Sequence, residues 1–307
     1  MKRFVTISAF LLLAFAAWGQ TAEEFKARYE RQVRMVGVDG VGVETILNRW
    51  EEAIPDDPDM LEGRYRYCLS KSMSSAVVAM DRARYLGEEP VLTLKDSAGR
   101  DVHYFEDTVF TDSLFARSQS AIDRAIAFAP DELGYRVDKI TSLMIYEKDS
   151  PDMATQELLK VIDYNKKSRP EWMYYGLAVD EDTFKSTIQE YCFNFFRYAT
   201  PGSYEAFRTV SEAMLKLYPK DTDFMNNIGS YWFVYKNNSR KALQWYNKVL
   251  KINPRDYTAA KNCVVMARKE KDKKLEKKYL PLLIEATPDE TERAQCQARL
   301  EGLEKKK

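Results

Sequence analysis

Histidine occurs once in this chain of 307 residues, as His103. That scarcity excludes an intramolecular metal centre built on several histidines. It also leaves a Ser-His-Asp arrangement without support, because nothing else in the sequence marks a nucleophile. Cysteine is sparse: Cys68, Cys192, Cys263 and Cys296 allow three pairings in principle. Each lies in an aromatic or aliphatic helical segment, where a free thiol packs as a small core residue, so four buried thiols are expected. Only 12 glycines and 11 prolines are present, which argues against a disordered or linker-rich chain. An excess of charge is lacking as well. The 47 basic residues face 47 acidic ones, which gives no general reason to expect nucleic acid as a partner.

Long apolar runs are confined to the beginning. Lys2-Arg3, the apolar run from Phe4 to Ala17, and Ala17-Trp18-Gly19 have the charged, hydrophobic and small-residue regions of a secretory signal peptide over residues 1–19. Cleavage is expected after Gly19 or Gln20. An uncleaved anchor would need roughly 20 apolar residues, and the run from Phe4 to Trp18 has 15. No cysteine follows this run, so lipid attachment is not indicated. Loss of Lys2 and Arg3 lowers the basic count from 47 to 45 against 47 acids, a net charge near −2. These features predict an exported protein, periplasmic or secreted in a bacterial envelope, with no membrane span after cleavage. Hydrophobic residues make up 45% and aromatics 13%, ample for a folded core.

What the sequence does contain is a ladder of prolines. Pro219, Pro254 and Pro288 lie 35 and then 34 residues apart, each closing a helix-like segment and followed by an acidic residue suited to a helix start. Between the first two, Met225, Ile228, Gly229 and Trp232 precede Ala242 and Tyr246. Two helices approach closely only where small residues sit at the crossing, the role open to Gly229 and Ala242. Pro254 then ends the unit, because it lacks an N–H and clashes with the preceding turn. The segment 221–254 resembles a tetratricopeptide repeat, with one extra residue between Trp232 and Ala242 that is expected in the turn Lys236-Asn237-Asn238-Ser239. Weaker copies flank it, making about six helical pairs at a roughly 34-residue period. The resemblance implies an all-α helical-hairpin superhelix over residues 20–307. Pro281 predicts a kink or early break in the last hairpin. Thr287-Pro288-Asp289-Glu290 has the form of a capping box opening a terminal capping helix over 288–305.

One region departs from this pattern. Val91 to Leu94 and Asp101 to Phe105 are two β-prone runs around a turn containing Asp and Gly, which predicts a β-hairpin insertion over about 90–106, between a helix ending near Leu86 and one resuming near Asp112. An isolated hairpin is marginal, so this one must lean on the helices or on a partner.

The resemblance implies a non-enzymatic protein-protein interaction or scaffold module with another protein or peptide as partner and no cofactor or metal. In tetratricopeptide arrays the first helix of each pair lines the concave surface. Carried over to the best repeat and its successor, this places Asn226, Ser230 and Phe233, then Lys261, Val265 and Arg268, on a groove able to hold an extended peptide. A second candidate surface is aromatic. Glu171-Trp172-Met173-Tyr174-Tyr175-Gly176 falls on a loop after Pro170, and Trp172, Tyr174 and Tyr175 combine apolar area with a polar handle for a protein or a sugar. A carbohydrate- or envelope-polymer-binding protein is therefore the alternative, and the same residues also suit the roof of an irregular junction between repeats. An enzyme is the remaining alternative. Its acidic pairs, Glu51-Glu52, Asp56-Asp57 and Asp180-Glu181-Asp182, sit at helix boundaries where carboxylates serve as caps. The glycine-rich Gly37 to Gly42 reads as a helix-to-helix turn. The run from Arg268 to Lys278 carries seven basic residues and reads as a solvated helix end, with an acidic partner as the alternative.

Overall fold

The structure is a computed structural model that describes residues 21–305. The expected signal peptide, residues 1–19, lies outside the described residues. The described chain forms thirteen α-helices and five short strands, in two compact units. One unit takes residues up to Ala76 and Asp107–Lys139; the other takes Val77–Glu106 and Ile140 onward.

In the first unit, α1 (Ala22–Val36) opens on a capping box in which Thr21 and Glu24 each accept the other's backbone N–H. Gly37 and Gly42, both at φ +86°, turn the chain into α2 (Val43–Ala53). Helix α3 (Pro58–Ser72), capped by Asp57, packs along α4 (Asp112–Phe128). Trp50, Leu61, Ile122 and Ala125 are fully buried in the core, with Phe25 stacked 5.9 Å from Trp50.

Helix α3 stops at Ser72, not near Leu86. Met73–Met80 is instead the strand β1 of a three-stranded sheet ordered β1-β3-β2, with β2 Leu92–Lys95 and β3 Asp101–Phe110. Ser and Ala in Met73–Met80 obscure a run whose strand character comes from Val77, Val78 and pairing to β3, a tertiary effect on β-propensity. Leu92 pairs with Tyr104 and Lys95 with Asp101, and Asp96 accepts the N–H groups of Ala98 and Arg100 in the intervening turn. In the second unit the β1–β2 loop is fastened at three points. Tyr85 meets Phe105 edge-on at 5.7 Å, Arg82 bonds Asp149 at 3.2 Å, and Arg197 binds Glu88.

That unit continues through α5 (Leu133–Glu147, whose first half belongs to the other unit), α6 (Asp152–Ser168), α7 (Glu181–Tyr198), α8 (Pro201–Leu217) and α9 (Thr222–Ser230). Then come α10 (Ser239–Ile252), α11 (Tyr257–Lys269), α12 (Lys273–Ala286) and α13 (Glu290–Glu304). The proline ladder marks the joints: Asp221, Asp256 and Asp289, just after the three prolines, are the N-caps of α9, α11 and α13. The terminal helix thus starts from Asp289 and not from Thr287. Thr287 closes α12, and its hydroxyl bonds Glu292 at 2.6 Å. Helix α12 runs through Pro281 without breaking.

The extra residue of the best repeat is not in the turn. It is absorbed inside the helix as a π-turn, Tyr231–Tyr235, in which the N–H of Lys236 reaches back five residues to the carbonyl of Tyr231. A π-turn accommodates one residue while the helices on either side keep their packing faces. The described chain is all-α in class, with helical hairpins in each unit and a small β insertion.

Candidate partner-binding surface

The groove expected on the first helices is closed at α9. Phe224 to Gly229 are all buried, because α7, α8, α10 and α11 pack around this helix. Asn226 is therefore internal: its amide donates to the Asp256 carboxylate at 3.0 Å, tying α9 to the cap of α11. Phe233 is buried in the same core, and Ser230 lies 3.3 Å from the Tyr246 hydroxyl. On α11 the exposed residues do form one stripe, but most are engaged within the chain. Lys261 binds Glu292 and the Tyr257 hydroxyl, and Arg268 binds Glu276. Val265 is exposed beside them. The six residues are thus divided between core bonds, internal ion pairs and a single apolar surface position.

Trp172 is likewise no platform. It is 3% exposed, stacked at 5.9 Å and 7° on Phe184, and its indole N–H donates to Asn165 at 2.8 Å. The sequence could not give this burial, since Tyr164, Asn165 and Phe184 converge on the indole only in the fold. Tyr174 and Tyr175 are exposed at the tip of a miniature hairpin, β4 (Met173–Tyr174) and β5 (Leu177–Ala178). Tyr175 and Gly176, at φ +48° and +85°, form its two-residue turn.

Beneath this hairpin the structure brings the acidic pair Asp180-Glu181 together with residues that the sequence did not single out. A cleft of about 760 Å³ runs between the end of α6 and the start of α7, lined by Lys166 and Arg169 on one side and Asp180 and Glu181 on the other. Leu217 and Tyr218 lie at its far end and also line a second depression, about 630 Å³, that continues past Lys185 to Asn253. The two form one open trough. Its charges follow the helix ends: cations stand at the C-terminus of α6 and carboxylates at the N-terminus of α7, each complementing the local dipole. Asp180 caps α7 through the Thr183 N–H, and this hydroxyl and backbone bonding lowers its pKa. Asn165 bridges the trough, accepting from Trp172 and donating to the Tyr218 hydroxyl at 3.3 Å. Lys185 sits 5.5 Å above the Tyr218 ring and 2.7 Å from Asp182, whose bond raises the lysine pKa. In sequence this site is marked by Trp172 and by the acidic pair Asp180-Glu181 at a helix boundary, while nothing marks Lys166, Arg169 or Tyr218.

Among the described residues no group of three or more His, Cys, Asp or Glu side chains is arranged to hold a metal ion, and no helix is long and apolar enough to cross a membrane. All four cysteines are free and buried, and burial pushes Cys192 and Cys263 up to about 12, away from nucleophilic thiolate.

No protein-family model and no curated protein matches the chain. Among solved structures it is similar to pilF of Pseudomonas aeruginosa, at 14% identity over 62% of this chain and 77% of that one, with a TM-score of 0.39. It is also similar to the flexible tandem repeat domain of a bacterial cellulose synthase, at 14% identity over 94% and 99% of the two chains, with a TM-score of 0.29.

Proposed function

We propose that the chain is an exported, non-enzymatic interaction module that holds an extended segment of another protein in the trough between Lys166 and Asn253. The observation that carries this reading is the continuity of the trough through Leu217 and Tyr218. An open channel crossing several helix ends suits a chain segment better than a small molecule, which favours an enclosed pocket. Its opposed walls of cations and carboxylates match the mixed polarity of a polypeptide, and the phenol of Tyr218 offers an aromatic anchor at the centre. Burial of Trp172 takes the largest ring out of the aromatic surface of the carbohydrate reading and leaves Tyr174 and Tyr175 exposed. Export rests on the leader-like sequence at residues 1–19.

The test is in situ photo-cross-linking in the native envelope, with a photoreactive residue replacing Arg169 or Lys220 and mass spectrometry of the products. One protein cross-linked reproducibly at both positions, and lost when Tyr218→Ala and Lys166→Glu are combined, supports the reading. Cross-links that appear only outside the trough, or survive the double variant unchanged, overturn it.

A further inference from the structure

Between Lys236 and Lys278 the sequence has fourteen lysines and arginines against four carboxylates, a surplus of ten positive charges in a chain that is neutral overall. Most of those carboxylates are engaged internally. Asp256 is buried as the cap of α11, Glu276 is 2% exposed between Arg268 and Arg299, and Asp272 caps α12 through the Leu275 N–H. Glu270 alone remains, in the turn between α11 and α12.

Five of these cations lie along α10 and α12. Helices α10 and α12 are joined by the Tyr279 hydroxyl, which donates to Asn247 Oδ1 at 2.7 Å. The neighbours of that bond, Lys248 and Lys278, are exposed, and their ammonium groups sit 3.9 Å and 4.8 Å from the ring centres of Trp245 and Tyr279. Lys241, two turns earlier on the same face of α10, lies 3.8 Å from the Trp232 ring. Lys251 and Lys274 extend the row. Among the described residues none of these five lysines has a carboxylate within salt-bridge distance.

We infer that this lysine face of α10 and α12 docks an acidic segment of a partner protein. Aromatic contacts hold three of the ammonium groups in place, so less side-chain freedom is lost when an anion arrives. The concentrated charge also steers an acidic chain toward the face. The row itself is made of lysine and not of arginine, the residue suited to bidentate phosphate recognition; Arg240 stands singly beside Lys241 in the first turn of α10, and Arg268 is committed to Glu276. Single-point ammonium–carboxylate contacts fit a Glu- or Asp-rich polypeptide better than a phosphate polymer. The inference rests on the interaction-module reading but concerns a surface distinct from the trough.

The probe is fluorescent poly-L-glutamate, titrated onto the full chain beside phosphatidylglycerol vesicles and a single-stranded oligonucleotide. Poly-L-glutamate is expected to bind at low ionic strength and to weaken with added salt. Affinity should fall at least tenfold in the triple variant Lys241→Glu, Lys248→Glu, Lys278→Glu, with an unchanged far-ultraviolet circular dichroism spectrum. The corresponding triple glutamine variant serves if charge reversal impairs folding, and it too should lose binding. Absence of binding at low salt, equal binding by both variants, or preference for vesicles or the oligonucleotide overturns the inference. Loss of poly-L-glutamate binding on Tyr218→Ala would move the acidic segment into the trough, overturning this inference while leaving the trough reading intact.

Discussion

Gly229 on α9 and Tyr246 on α10 fit together with no room for a methyl group: a β-carbon at position 229 would lie 2.4 Å from Cε1 of the tyrosine. Tyr246 is fully buried and cannot swing into solvent. The small residue thus sets the approach of the two helices, and the large one fills the space it leaves.

Gly229→Ala is therefore expected to destabilise this hairpin. Overpacking costs about 1–3 kcal/mol, offset by about 1 kcal/mol from the better helix propensity of alanine. Tyr246→Leu in the same background removes the clash, so a double-mutant cycle on thermal unfolding should show coupling of about 1 kcal/mol or more. Strict additivity would mean that the two side chains do not confront each other.

Glu276 links three helices: its carboxylate accepts from Arg268 on α11 at 2.8 Å and from Arg299 on α13 at 2.9 and 2.8 Å. The bonds from Arg299, then those from Arg268, hold its pKa below the ordinary glutamate range despite burial. A depressed carboxylate stabilises the fold above its unfolded pKa and loses that contribution as pH falls through the folded value. Glu276→Gln should cost about 1–3 kcal/mol at pH 7, since both arginines are half exposed and can rehydrate. In urea titrations the gap between wild type and variant should close as pH drops below about 4. A gap that persists at low pH would assign the loss to packing.

The legible part of the fold was written in backbone chemistry. Prolines cannot continue a helix and aspartates cap one, so Pro219, Pro254 and Pro288 gave the joints and Gly229 the crossing. The illegible part depends on what the fold brings near. Residues Phe224 to Gly229 show one helical face in sequence, yet four neighbouring helices cover all of them, which turns Asn226 from a groove residue into an internal tie. Trp172 looked exposed because Asn165 and Phe184, which enclose it, come from separate helices. The trough was hidden for the same reason: Arg169, Asp180 and Tyr218 meet only where helix ends converge.

A second carboxyl behaves in the opposite way. Glu62, in the first unit, is pushed up to about 7 by burial, which outweighs the attraction of Arg66 and is reinforced by Asp138 and Asp59. It lines neither part of the trough. A raised carboxylate keeps its proton in the folded state after the unfolded chain has lost it, so stability falls as pH rises from about 4.5 to 7. The loss is about 3 kcal/mol by the usual conversion of pKa shift to free energy. Glu62→Gln should abolish that slope, matching wild type near pH 4 and exceeding it in urea midpoint at pH 8. Parallel pH profiles for the two proteins would show that Glu62 does not titrate in this range.

The π-turn makes a sharper demand on the backbone. Val234 is 48% exposed within Tyr231–Tyr235, and Lys261 is an exposed residue inside the regular helix α11. Removing either deletes one surface side chain, but the consequences differ. Without Val234, the five-residue turn can relax to the four-residue spacing of an ordinary helix, leaving α9 and α10 on their packing faces. The main loss is the stack of Tyr235 on Tyr204 at 4.8 Å, about 1 kcal/mol. Without Lys261, every later residue of α11 rotates by about 100°, which carries Cys263, Val264, Met266 and Ala267 out of the core. The Val234 deletion should unfold cooperatively with nearly native helix content, and the Lys261 deletion should lose the C-terminal hairpins. If circular dichroism melts show the Val234 deletion to be the more damaging, the extra residue is a required part of the packing and not an insertion that the π-turn absorbs.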